Sequence, residues 1–453
     1  MLPDDTLLDI FDFYRLDSMY HSPGLPWKWH RLAHVCRRWR NVIYTSPQYL
    51  DLQIFCKFGK PIQHVLGAWP SLPLVVGFNA NRESESLPEN VVIALRHTDR
   101  VCEIDLSVTA PISLSIADMM QVPFPALERI RIESKDAAEP VVISEFLGGS
   151  APRLKEIHVG GIGIPFLALR RLLLSTDNLV QLRLENIPKS CYFSPDDLVT
   201  ILSSLGHLKD LSIWFSLLAS RSATDMKPPP PLDRSTSISL ISLSFYGASE
   251  YLEAFVARTH MPALTTLTIK FFNQLIFEVP QLYGFISRVE ELKFFNEVYI
   301  KPAAESIDIS FYRKKHGYNH RACYLSISCR QLDWQLSFTT QIFDQLSPLL
   351  SGAELLIIYK PHSISTGRED VDSIQWLELF QPLPHLSWVC INIEELVPDV
   401  VHALVNEGMV AGVLPSLTSF YLAGYWRSTS AMNAAKRFIA TCKLANRNIS
   451  LSG

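Results

Sequence analysis

One short phrase dictates what this 453-residue chain can become: an apolar residue, two variable ones, an apolar, one variable, an apolar. It stands clearly at Leu127/Ile130/Ile132 and returns ten more times. The further copies are Leu154/Ile157/Val159, Leu179/Leu182/Leu184, Leu208/Leu211/Ile213, Leu240/Leu243/Phe245, Leu264/Leu267/Ile269, Val289/Leu292/Phe294, Ala322/Leu325/Ile327, Ala353/Leu356/Ile358, Leu386/Val389/Ile391 and Leu417/Phe420/Leu422. Val101/Ile104/Leu106 is a weaker first copy. Copies lie about 24 to 33 residues apart, a spacing that marks stacked repeats. A chain this long exceeds one ordinary core in any case.

The alternation that ends each phrase is that of a short strand with one buried face. The intervals contain helical patterns. Ser194-Pro195-Asp196-Asp197 supplies a cap, a proline and two acids ahead of Leu198, Ile201, Leu202 and Leu205, and residues 249–256 and 430–445 carry similar patterns. Strand and helix in alternation predict an α/β chain: a solenoid with parallel inner strands and outer helices, curved into an arc. An ordinary α/β domain alternates in the same way, and eleven copies of one phrase weigh against it. The array resembles leucine-rich repeats, although the asparagine many such repeats carry is mostly absent.

Neighbours on a strand point to opposite sides, so the variable positions of each phrase face outward. Early repeats place Arg129, Arg131, Glu133, Glu156, His158, Arg183 and Glu185 there, a mixed charged strip. Later repeats place Leu355, Ile357, Tyr359, Trp388 and Tyr421, an apolar and aromatic cluster of the kind that dominates interface energetics. These five are expected to bind a client protein, unless a C-terminal segment covers them. Two insertions interrupt the array. Residues 216–237, with Met226-Lys227 and Pro228 to Pro231, are expected to form an exposed spacer or a proline ligand. Residues 313–321 are expected to form a basic loop whose Arg313, Lys314, Lys315 and Arg321 either contact a phosphate or acidic segment or are simply solvated.

Composition narrows the function. With 48% hydrophobic and 19% charged residues the chain falls in the globular range. A net charge of −4 argues against holding nucleic acid by bulk electrostatics. The eight cysteines form no C-x-x-C pair, which speaks against a disulfide or zinc framework. His316, His320 and Cys323 have metal-like spacing but lack a fourth ligand, so no metal is expected. The acidic start with Asp4, Asp5, Asp9 and Asp12 is unlike a signal peptide, and no apolar run approaches membrane-spanning length. The expectation is a reducing cytoplasmic or nuclear setting, with no membrane contact and the sequon at Asn448 incidental. No phosphate loop, nucleophile elbow or H-E-x-x-H is present, so neither catalysis nor a cofactor is expected.

The first 55 residues have a different pattern. Leu2-Pro3-Asp4-Asp5 opens a helix whose apolar face carries Leu7, Ile10, Phe11 and Tyr14. A second stripe over 28–44 holds Leu32, Val35, Cys36, Trp39, Val42 and Ile43, opposite Arg37, Arg38 and Arg40. Pro23, Gly24 and Pro26 separate the two. Leu2-Pro3-Asp4-Asp5, Leu7-Leu8-Asp9-Ile10-Phe11 and Val35-Cys36-Arg37-Arg38-Trp39-Arg40 together resemble the F-box, with several extra residues around 17–28. An F-box followed by irregular repeats is similar to the F-box and leucine-rich-repeat families abundant in fungi. The resemblance implies docking onto the Skp-type adaptor of a cullin-based ubiquitin ligase through Leu2, Pro3, Leu7, Ile10, Phe11, Leu32, Val35, Cys36 and Trp39, with the arginines facing an acidic partner. The expected plan is an F-box-like motif at 1–55, a linking or capping segment at 56–97 and the repeat array at 98–453. A repeat scaffold unrelated to ubiquitin, its N-terminal helices serving as a cap, is the other class the sequence permits.

Overall fold

A computed structural model describes residues 2–21, 30–47, 49–50, 52–56, 62–68, 72–80, 86–135, 141–216, 236–272, 278–315, 318–329, 332–359, 373–406, 410–422 and 429–452. The chain divides into two compact units, Met1–Cys191 and Tyr192–Gly453.

The first unit opens with helices α1 (Asp4–His21), α2 (His30–Ala33) and α3 (Arg37–Thr45). Parallel strands and helices then alternate: β1 (Ile54–Cys56), α4 (Ile62–Ala68), β2 (Leu74–Asn79), α5 (Glu89–Leu95), β3 (Val101–Val108), α6 (Ala110–Met119), β4 (Arg129–Ser134), β5 (Glu156–Gly160), α7 (Phe166–Leu174) and β6 (Gln181–Ile187). These strands lie side by side in chain order. Ile130 is opposite Ile157, and Ile157 is opposite Leu182, so the phrase positions stack repeat upon repeat. A short parallel pair, Val141–Val142 with Ile162–Gly163, lies apart from this sheet.

The second unit contains α8 (Pro195–Leu202), β7 (Asp210–Phe215), β8 (Ser242–Gly247), α9 (Ser249–Ala257), β9 (Thr266–Phe271), α10 (Pro280–Arg288), β10 (Glu297–Pro302), β11 (Ser306–Lys315) and β12 (Tyr318–Ser328). It continues with α11 (Leu332–Leu350), β13 (Leu355–Tyr359), α12 (Ser373–Phe380), β14 (Trp388–Asn392), α13 (Val397–Asn406), α14 (Val410–Val413), β15 (Ser419–Leu422), α15 (Thr429–Leu444) and β16 (Ser450–Ser452). Helix α8 begins as its sequence predicts, with a capping box in which Ser194 and Asp197 satisfy each other's backbone N–H groups.

Ten of the eleven full phrases fall on strands, and every apolar position in those ten is buried. Helices cover that face. The result is a leucine-rich-repeat-like alternation of parallel strand and helix in both units.

Three expectations need correction. The parallel sheet does not begin at 98: β1 and β2 already lie in it, with Cys56 opposite Val76 and Val76 opposite Ile104, so the described residues of the expected linking or capping segment at 56–97 extend the array rather than only link to it. Its copies were hidden because β1 is only three residues long and lacks the full phrase. The copy at Val289/Leu292/Phe294 is not a strand. Leu292 sits in a single 3₁₀ turn and Phe294 is exposed, while the strand starts three residues later, at Glu297, with Val298 and Ile300 inward. Finally, spatial order departs from chain order in the second unit, where the sequence runs β9, β12, β11, β10, β13. Strand β11 is antiparallel to both neighbours, so β10 to β12 enter as one reversed meander.

Residues 313–315 and 318–321 of the expected basic loop are therefore paired strand at the end of β11 and the start of β12, with Arg313 opposite His320 and Lys314 opposite Asn319. The proline-rich stretch at 226–231 lies outside the described residues, as do Pro23, Gly24 and Pro26. Leu356→Ala, at a fully buried phrase position, is expected to destabilise the second unit by about 2–5 kcal/mol, read as a lowered denaturation midpoint. An unchanged midpoint would contradict the assigned core.

Candidate protein-binding faces

The N-terminal helices pack on each other through Phe11, which is fully buried and meets the Trp39 ring edge-on at 4.9 Å. Leu7, Ala33, Val42 and Ile43 on these helices are buried as well. Cys36 caps α3, its Sγ accepting the Trp39 backbone N–H at 3.4 Å. The Arg38 guanidinium reaches across to the Asp4 carboxylate at 2.7 Å and to the Leu2 carbonyl, tying α3 to the start of α1. Such exposed pairs contribute a fraction of a kcal/mol to about 1 kcal/mol, so the apolar contacts carry the packing.

These contacts sort the proposed adaptor residues. Leu7 and Phe11 are buried in the helical module itself and are not available to a partner, because an amphipathic pair this small needs its largest side chains for its own core. Trp39 and Leu32 are half-buried. Leu2, Pro3, Ile10, Val35 and Cys36 are exposed, and Phe13 at 72% and Tyr14 at 39% exposure join them. Phe13 was missed because it lies off the stripe that predicts the internal core.

In the first unit, the sheet face opposite the helices is charged and largely self-paired. Arg129 on β4 donates to Glu103 on β3 at 3.1 Å, Arg131 pairs with Glu133 at 3.2 Å, and the His158 ring nitrogen lies 3.5 Å from Glu185. Arg183 projects from β6 in the same row as Arg131 and His158, while Glu156 lies opposite Arg129.

The second unit has a different face. Leu355 lies opposite Trp388, Ile357 opposite Cys390 and Tyr359 opposite Asn392, while Cys390 is also opposite Tyr421. The five residues singled out by sequence thus occupy one surface, on three adjoining strands spaced ~4.8 Å apart. Trp388 is 53% exposed and Tyr421 39%; the other three are half-buried.

The reversed meander extends this surface in a way the sequence does not announce. It sets Tyr299 on β10 opposite Ile357 on one side and Ser310 on the other, and Ser310 opposite Tyr324. The Tyr299 ring lies 4.6 Å from Tyr312 and 6.3 Å from Tyr359. Farther along, Trp214 and Tyr246 are 5.2 Å apart, with the Lys270 ammonium 4.6 Å above Tyr246. Burial, reinforced by the Glu297 carboxylate that accepts its hydroxyl at 3.0 Å, holds the Tyr299 phenol neutral far above the usual tyrosine range. A neutral, aromatic, hydroxyl-bearing surface suits protein recognition.

The basic hairpin end is only partly free. Arg313 pairs with Glu291 at 3.2 Å and donates to the Glu290 carbonyl at 3.0 Å. Lys314 and His320 are exposed, the Lys315 side chain lies outside the described residues, and Arg321 stacks over Tyr324 at 5.1 Å. Cys323 is buried while His320 is exposed, and among the described residues no cluster of three or more His, Cys, Asp or Glu could hold a metal ion.

Burial pushes the Cys390 thiol up to about 11 and those of Cys56 and Cys323 up to about 12. These thiols stay protonated at neutral pH, which makes them poor nucleophiles. The raised values favour the folded chain fully below pH 9, and this contribution is lost as pH rises from 9 through the folded values. A disulfide-exchange reagent at pH 8 is expected to modify exposed Cys36 first and to spare Cys56, Cys323 and Cys390 until unfolding. Rapid native labelling of Cys390, mapped by mass spectrometry, would contradict this placement.

No family model matches the chain, and no curated protein matches it. Among solved structures, the chain is similar to the leucine-rich repeat-containing protein LegL7 from Legionella pneumophila, at 10% identity and a TM-score of 0.30, over 80% of this chain and 97% of that one. The repeat architecture described above rests on this chain's own strand register.

Proposed function

We propose that the chain is a non-catalytic receptor that holds a client protein on the aromatic sheet face of its second unit and docks, through its N-terminal helices, onto the Skp-type adaptor of an SCF-type, cullin-RING ubiquitin ligase. The observation that carries the client half is the outward-facing run of Tyr299, Tyr312, Leu355, Ile357, Tyr359, Trp388 and Tyr421, half-buried except for the exposed Trp388 and Tyr421, against a first-unit face whose charges largely neutralise one another. Aromatic side chains on a rigid sheet lose little conformational entropy on binding and supply large contact area.

The adaptor half is supported by the F-box-like residues together with the exposed apolar set Leu2, Ile10, Phe13, Tyr14 and Val35 on the same small module. Exposed apolar groups concentrated in about 35 residues favour a partner. In this reading the chain contributes position rather than chemistry: it raises the local concentration of ubiquitin-transfer machinery beside client lysines. Its setting is the cytoplasm or nucleus, and it needs neither a cofactor nor contact with nucleic acid or membrane.

The burial of Leu7 and Phe11 and the Arg38–Asp4 clip favour a second reading, in which the helices form a self-contained cap on a protein-binding scaffold without any link to ubiquitin. Adaptor copurification separates the two. Ile10→Glu combined with Val35→Glu is expected to cut recovery of a Skp-type adaptor at least tenfold with unchanged circular dichroism, because a charge introduced into an apolar contact is left unsolvated. Phe11→Ala is not a clean probe, since it empties the module's own core. Adaptor recovery that survives the double glutamate variant, or that never occurs with the unaltered chain, would remove the ligase reading.

A further inference from the structure

We infer that the segment of client held on the second-unit face is an amphipathic helix lying across the strands, its uncharged stripe over β13–β15 and an acidic end over β10–β12; this rests on the client-binding reading above. The outward positions of β13, β14 and β15 are Leu355, Ile357, Tyr359, Trp388, Cys390, Asn392, Ser419 and Tyr421, and none is charged. A charged contact surface would lose hydration there without gaining a partner, so the occupant's stripe must be neutral.

Charge appears abruptly on the other side of β13. Lys270, Lys301 and Arg321 lie on or beside the aromatic surface, and Lys314 is exposed at the adjoining hairpin end. At the outward positions of these strands, among the described residues, two carboxylates accompany them, and both are already engaged. Glu297 accepts from the Tyr299 hydroxyl at 3.0 Å and from Asn319 at 2.8 Å, and Asp308 accepts from the Ser326 hydroxyl at 2.7 Å and from Tyr324. The cations therefore outnumber the carboxylates, and those carboxylates already receive hydrogen bonds from this chain. An acidic end on the occupant complements this flank.

The spacing of the rows selects a helix. Strands repeat every ~4.8 Å and a helix presents its stripe every ~5.4 Å, so the two stay in step over several contacts. An extended segment laid across the strands presents same-side residues every ~6.7 Å and slips by a whole strand within three contacts. Laid along the strands instead, a segment meets only the two or three outward positions of each, because β13 and β14 are five residues long. Crossing from β12 to β15 spans about 24 Å, or ~16 helical residues.

Displayed libraries of 18-residue peptides test this on the full chain. The first fixes leucines at i, i+3, i+4, i+7 and i+11 with an acidic end; the second replaces the acids by lysines; the third arranges the first library's composition in strict alternation. The first is expected to enrich binders. By fluorescence anisotropy these binders should outbind selections from the other two at least tenfold, lose at least tenfold affinity on Trp388→Glu or Tyr421→Glu, and weaken about threefold on Lys314→Glu in a salt-dependent way. Leu167→Glu on α7 should change nothing. Stronger enrichment from the alternating or lysine library, still abolished by Trp388→Glu, would overturn the helix while keeping the client face. Enrichment insensitive to both Trp388→Glu and Tyr421→Glu, or no enrichment from any library, would overturn the face itself.

Discussion

Along much of the array a repeat is tied to the one before it by a backbone hydrogen bond made at or just ahead of the start of its strand. Lys155 N–H donates to the Glu128 carbonyl at 2.8 Å, Val180 N–H to Lys155 at 2.8 Å, Thr418 N–H to Ser387 at 2.9 Å and Ser450 N–H to Thr418 at 2.9 Å. This bond starts the parallel ladder and fixes its register, which sets phrase residue over phrase residue on the buried side. A slip of one residue would turn every leucine outward. With the inner side committed to leucine, isoleucine and valine, the outward positions carry little structural load. They are where the two units diverge: paired charges in the first, neutral aromatics in the second.

Among the described strands of the main sheet, the reversed meander β10–β12 is the one break in this scheme, and it shapes the candidate site. Were each strand stacked in chain order, Tyr324 would lie beside Leu355 and the neutral surface would end in the hairpin's charges. Reversal instead puts β10 against β13, so Tyr299 and Glu297 adjoin Ile357 and Leu355, and the hairpin's cations are moved two strands away. The antiparallel strand in the middle satisfies its backbone groups on both sides, as an inserted strand within a sheet must.

Most of this order was legible in the sequence because burial repeats. Ten phrase copies announced their strands, and the cap at Ser194 announced α8. What stayed hidden has physical causes. Strand β1 is too short for periodicity to register, and the phrase around Leu292 imitates a strand because a single buried leucine in a turn has the same local spacing. Antiparallel insertion leaves no mark in a pattern that records only which side is apolar, so Tyr299, Tyr312 and Tyr324 could not be assigned to the surface that Leu355 and Trp388 had marked. At the N-terminus the motif was visible, but periodicity cannot separate a side chain that packs within its own module, such as Phe11, from one left for a partner, such as Val35.

The site stands or falls on β10 adjoining β13, which paired cysteines can test. Glu297→Cys with Leu355→Cys places two thiols on register partners of neighbouring strands, within the Cα separation a disulfide spans, and mild oxidation is predicted to cross-link them in the folded chain. Tyr324→Cys with Leu355→Cys places them three strand spacings apart, ~14 Å, and should stay reduced. Cross-linking of the second pair in place of the first would restore simple chain order and contradict the account.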